Sequence, residues 1–281
     1  MRTLTKIWLG ISFISVGVGI ALVIVALVSG VKVDETMVFS EKTGVYENVD
    51  SVKFDISYGE VKIIKGNTFS FKAENILEDQ LESYVEDGIW YIREGSNKFI
   101  NVFGVEFPLG FVSHYKDKTP KITITIPEDF IAEKFHLSVS AGRVIVEELI
   151  AKEGDFSVSA GVLHIDGLKI NERSNYTLGS GEMILNNVEV GDITVDCGIG
   201  SVKIDGTITG DNRIDCGMGD VNLQLSGNKQ DYSYDLSSSI GKLTIGDKKF
   251  KGITNEVINN KEADHKLYLS CEVGSITVDF N

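Results

Sequence analysis

Apolar and polar residues alternate along most of the chain after residue 48, and the alternation repeats in a fixed frame. One glycine per repeat serves as origin: Gly142, Gly161, Gly181, Gly200, Gly219, Gly241 and Gly274, at steps of 19, 20, 19, 19, 22 and 33. Gly59 starts an earlier copy. Five before the glycine stand Leu137, Phe156, Tyr176, Val195, Ile214, Leu236 and Leu269. Three before it stand Val139, Val158, Leu178, Cys197, Cys216, Ser238 and Cys271. Two after it come Val144, Leu163, Met183, Val202, Val221, Leu243 and Ile276, and four after it Val146, Ile165, Leu185, Ile204, Leu223, Ile245 and Val278. The positions between are mostly Ser, Thr, Asp, Lys, His and Asn.

Side chains alternate across a strand, so each copy reads as strand, corner, strand, with two inward residues on either side of the corner. One copy cannot bury its apolar face alone, whereas copies stacked at about 4.8 Å share a continuous core. The expected fold is therefore all-β, a parallel β-helix or β-solenoid with turns of about 19–20 residues. An antiparallel sandwich has no need for columns of like residues at a constant step. The 33-residue step before Gly274 implies an insertion near residues 248–265, a cap or a loop leaving the rod. The last strand, Ser275–Phe280, ends almost at the carboxy terminus, so either the insertion covers the final edge or a partner pairs there.

Upstream, residues 49–130 are expected to cap the solenoid, with residues 131–281 forming its repeats. Within the upstream part, 49–65, 68–73, 89–92 and 121–127 alternate as strands. Residues 75–86 are acidic and read as a loop or one helical turn. Residues 95–119 are the least regular, with Phe99, Phe103, Phe107 and Phe111 among glycines. Gly104, Pro108 and Gly110 argue against a helix there. The expectation is a loop packed on the body or one presenting aromatics, Phe103 and Phe107 included, to a partner.

The amino-terminal segment is different in kind. Ile7–Val28 is free of charge and, at 1.5 Å per residue, about 33 Å long as a helix, enough to span a bilayer. Arg2 and Lys6 precede it and Asp34 and Glu35 follow, which predicts a single-pass anchor over residues 1–30 with a cytoplasmic amino terminus. The run exceeds the usual apolar length of a cleaved signal peptide. Residues 31–48 read as a polar stalk, and the body beyond is expected outside the membrane.

Charge narrows the partners. The net charge is −14, and Arg2 and Lys6 lie in the anchor, so the body is more acidic still. Such a body repels nucleic acid and anionic lipid, and no nucleic-acid partner is expected. Cys197, Cys216 and Cys271 share an inward column with Val and Leu, which makes them buried apolar thiols. Stacked neighbours do lie within the Cα range of a disulfide. Asp196 and Asp215 share an outward column and should be neighbours, with Glu182 and Asp220 near the corner. Two carboxylates about 5 Å apart repel, and a Ca²⁺ ion would relieve that, so these two are the metal candidates. The calcium nonapeptide pattern is missing, and solvated surface charge is the simpler expectation. The histidines are scattered, and no catalytic set, phosphate loop or cofactor motif is readable, so no enzyme and no cofactor are expected.

The lines VDSVKFDISYGEVKII, KITITIP, SAGRVIV, SAGVLHI and SVKIDG resemble those of the bacterial β-strand-repeat proteins catalogued as candidate adhesins, a domain family of unknown function. The resemblance covers about residues 49–280 and carries no catalytic residues. It implies a membrane-attached β-solenoid facing outward from a bacterial envelope. Three functions follow as expectations. The first is a non-enzymatic rod that binds a cell-wall polymer or an envelope protein. The second is an accessory or sensor protein in envelope-stress signalling. The third, on fold analogy alone, is a polysaccharide-active β-helix enzyme using Asp196, Asp215 and Asp220.

Overall fold

The glycine frame is the backbone of the architecture. The computed structural model describes residues 39–77, 81–94, 99–102, 105–108, 119–251, 254–258, 260 and 263–281. Strands dominate them, in the order β1 (Phe39–Tyr46), β2 (Ser51–Gly66), β3 (Phe69–Leu77), β4 (Leu81–Glu86), β5 (Ile89–Glu94), β6 (Phe99–Val102), β7 (Val105–Pro108) and β8 (Lys121–Pro127). There follow β9 (Ile131–Gly191), β10 (Ile193–Thr209), β11 (Asp211–Leu225), β12 (Tyr232–Ile245), β13 (Lys248–Lys251), β14 (Thr254–Ile258) and β15 (His265–Phe280). A single 3-10 turn, Lys229–Asp231, is the one helical element among the described residues. No helix there is long and apolar enough to cross a membrane, and the expected anchor, Ile7–Val28, lies outside the described residues.

The parallel stack runs β2-β9-β10-β11-β15-β12, with glycine facing glycine at each step: Gly59↔Gly142, Gly181↔Gly200, Gly200↔Gly219, Gly219↔Gly274 and Gly274↔Gly241. Within β9, which winds through three turns, Gly161 and Gly181 continue the column. All four predicted inward columns are buried. An aromatic stack threads the early turns, from Trp90 through Phe54, Phe135 and Phe156 to Tyr176.

Each β9 turn has a third strand segment that the frame did not anticipate. Leu149 and Ala151, Leu168 and Ile170, and Val188 and Val190 are buried at seven and nine after the glycine. Val188 and Val190 pair in register with Gly206 and Ile208 of the next turn. A second corner separates this segment from the one before it, marked by positive φ at Glu148, Gly167, Asn187 and Gly206. Three segments per turn are what a period of 19–20 residues accommodates.

Three expectations fail outright. First, the stretch 31–48 is not all stalk, because β1 pairs antiparallel with β3 from Phe39 to Tyr46. Second, the described residues of 75–86 are strand rather than a loop or one helical turn. Backbone pairing continues to Leu77, and β4 pairs with β5. Third, the carboxy-terminal strand is not the end of the stack. Strand β15 inserts between β11 and β12, pairing in parallel with both.

Both ends are closed by antiparallel strands. At one end β13 and β14, formed by the expected insertion, cover the two halves of β12. At the other, β5 and β8 pair in parallel with the two halves of β2 and make one split turn. Pro120 occupies the corner of that turn, its carbonyl accepting the Glu60 N–H at 2.9 Å. The chain between β5 and β8 is therefore inserted at a glycine corner. Part of it is the hairpin β6-β7, which contains Phe107, while Phe103 lies outside the described residues. Strands β4 and β3 then cover β5 and β8. Among the described residues, the outer edges of β12, β5 and β8 are thus blunted.

Candidate functional site

A shallow groove of about 430 Å³ runs across the turns just before the glycine corner. Its outer wall is the outward row Thr177, Asp196, Asp215 and Ser270, four before each glycine. Its floor is the row Gly179, Gly198 and Gly217, which leaves the strand surface bare, and Glu272 closes that row on β15. Cys197 and Cys216 lie directly behind it. The sequence placed Asp196 and Asp215 side by side, and they are in-register partners of β10 and β11.

Their surroundings differ. Asp215 accepts a hydrogen bond from Arg213 Nε at 2.6 Å. Asp196 is exposed and has no ion-pair partner among the described residues. Glu182 and Asp220 lie on the other side of the corner. Lys203 Nζ sits 2.8 Å from Glu182 Oε1, and this hydrogen bond holds the Glu182 carboxyl below the usual carboxylate range. Asp220 accepts from the Ser275 hydroxyl. The four carboxylates do not converge on a point, and among the described residues no group of three or more His, Cys, Asp or Glu is arranged to hold a metal ion.

The thiols form a column of three consecutive turns, Cys197↔Cys216↔Cys271, all buried and free. Cys271 Sγ donates to the Gly219 carbonyl at 3.3 Å. Burial is the main cause that pushes the Cys271 thiol up to about 11. The Cys216 thiol is also pushed up, chiefly because it donates to Cys197. The same hydrogen bond pulls Cys197 down.

One further row escaped the sequence reading. Immediately before the corner glycine stand Ile199, Met218, Val273 and Ile240, in register on β10, β11, β15 and β12. They are 58, 50, 38 and 66% exposed, among the few large apolar side chains at the surface. In the earlier turns the same position holds Tyr58, Ala141, Ala160 and Ser180. The signal was present in the spacing, but a residue next to a glycine corner belongs to neither face of a strand, so alternation assigns it no side.

No curated protein is significantly similar to the chain. Among solved structures, a candidate cell adhesion protein from Clostridium sporogenes is 13% identical over 87% of this chain and 100% of its own, with a TM-score of 0.36. A candidate adhesin from Bacteroides fragilis is 11% identical over 86% and 97%, at 0.34. Another from Parabacteroides distasonis is 9% identical over 86% and 98%, at 0.33. The family model described as Toastrack DUF4097 matches residues 49–279, the stretch that holds the glycine frame, and the chain belongs to that family.

Proposed function

We propose that the protein is a non-enzymatic, single-pass envelope protein that presents its β-stack outside the membrane to bind a cell-wall polymer or an envelope protein. Ile7–Val28 is the anchor, with the amino terminus cytoplasmic. The observation that carries the reading is the groove across β9, β10, β11 and β15, whose walls are built by repetition rather than by a converging set of side chains. A regular, open row suits an extended ligand. Detergent-solubilised full chain should retain isolated cell-wall material or a defined membrane partner, and Asp196→Ala with Asp215→Ala should weaken that retention. If the full chain retains neither, the reading fails.

A further inference from the structure

The apolar row and the groove share the same turns. Ile199, Met218 and Val273 are each bonded to a residue of the groove floor, Gly198, Gly217 and Glu272. Four half-exposed aliphatic side chains in an unbroken line make a patch on the order of a few hundred Å², a size that on a monomer often marks a contact surface. On one side the row is flanked by Asp196, Asp215 and Glu272, and on the other by Asp220. The cations nearby are Arg213, already paired with Asp215, Lys203, already paired with Glu182, and Lys242, which follows the corner on β12. The surface is apolar along its line and acidic beside it, on a chain of net charge −14.

We infer that this surface seats a cationic amphipathic helix of a partner protein, its apolar stripe along Ile199–Met218–Val273–Ile240 and its Lys and Arg residues toward Asp196, Asp215 and Glu272. The inference rests on the reading of the groove as a binding surface and names the chemistry of its partner.

Spacing favours a helix. The four rows lie three steps apart, about 14 Å at ~4.8 Å per step. Three helical turns cover about 16 Å, so one stripe residue per row drifts by only ~2 Å. Alternate residues of an extended peptide recur every ~6.7 Å, and three such steps cover about 20 Å, out of phase with the row. The glycine floor leaves room beside the row for the helix flank. A second copy of this chain fits poorly, because face-to-face packing sets Asp196, Asp215 and Glu272 against the same acids.

The test uses the full chain in an uncharged detergent. The probe is a fluorescent peptide of about 14 residues with leucine at i, i+4, i+7 and i+11 and lysine along one flank of that stripe. Anisotropy is read against empty micelles. The helix should bind, and a peptide of equal composition with its leucines dispersed should not. Met218→Ser with Val273→Ser should weaken binding by about 10-fold or more. Asp196→Asn with Asp215→Asn should weaken it about 5-fold at low salt and flatten its salt dependence. All four positions lie on the outer surface, so melting should be unchanged. If the apolar pair nevertheless disturbs folding, the aspartate pair and a probe with glutamate for lysine carry the test. Equal binding of the dispersed peptide, or binding indifferent to the aspartate pair, overturns the inference. So does sedimentation showing a dimer that Met218→Ser with Val273→Ser dissolves, since the row then belongs to a second copy. Helix binding without retention of any wall material or membrane partner fails the proposed function alone. Retention untouched by all four substitutions, with no helix binding, fails this inference alone.

Discussion

Replacing Gly200 by alanine tests the close approach of stacked glycine corners. Gly200 has φ +151°, a conformation that L side chains rarely adopt. A Cβ there would lie 1.9 Å from the Gly181 carbonyl oxygen, where side-chain carbons do not come within 3.0 Å. Neighbouring turns would have to part by about 1 Å at a corner tied to turns on both sides. The backbone strain is about 1–3 kcal/mol. The forced separation adds about 1–3 kcal/mol, as overpacking does in cores. The sum, about 2–6 kcal/mol, is a large share of a stability of about 5–15 kcal/mol. For a body of this size each kcal/mol moves the melting midpoint by about 2–4 °C, so a fall of roughly 10 °C is expected.

The control is Gly246→Ala. Gly246 also has positive φ, +51°, but a Cβ there meets nothing within 4 Å. Its cost should be the conformational part alone, about 1–2 kcal/mol. Thermal and urea melts of the full chain in detergent, followed by far-ultraviolet circular dichroism, measure the difference. If the two alanines cost the same, the close approach of stacked corners does not govern this column and the argument is wrong.

Four further outcomes follow from single positions. Asn212 is buried, accepts the Ile193 N–H at 3.2 Å and donates to the Gly210 and Lys266 carbonyls at 3.1 Å each. Asn212→Ala orphans groups on neighbouring turns and should cost about 3 kcal/mol, with faster hydrogen exchange at the Ile193 amide. The Ser238 hydroxyl is buried with no hydrogen-bond partner among the described residues, so Ser238→Ala should raise stability by about 1 kcal/mol in urea titrations. The Cys271 thiol titrates higher folded than unfolded, so the folded state holds its proton more tightly. Stability should be full below about pH 9 and decline toward about pH 11, and Cys271→Val should remove that share of the slope. A chain ending at Asp264 lacks β15 and leaves facing edges of β11 and β12 unpaired. Limited proteolysis should then cut throughout residues 193–260 rather than only at the new end.

The sequence was legible where one rule acts on every turn. Alternation around a glycine identified four buried columns, the stacked thiols and the adjacency of Asp196 and Asp215. It failed where the rule is interrupted. The third segment carries Leu149, Leu168 and Val188, but later turns vary it: Ile208 is displaced by a register shift after Ile204, and β11 ends at Leu225, one residue short of the expected place. Strands β1 and β4 are mixed in burial, covering other strands rather than building the core, so their alternation is weak. The exposed row at Ile199, Met218, Val273 and Ile240 was hidden for the reason already given: at a corner, in and out are not set by parity.

The position of β15 was illegible for a deeper reason. Inward columns of Val, Ile and Leu are alike in every turn, so swapping two turns leaves each column apolar. Column chemistry therefore cannot order the turns, and sequence order was the default. Edges break the degeneracy. A turn at the end of the stack needs chain to cover it. Strand β12 is followed by β13 and β14, which fold back on both its halves. The arrangement with blunted edges puts β12 outermost and β15 inside, and the pairing of Met218 with Val273 and of Val273 with Ile240 follows from it. The order of the apolar row, not its continuity, is thus set by the insertion: with β15 outermost, the line would still hold four apolar residues, but the antiparallel cover would fall on an interior turn, which has no free edge to accept it.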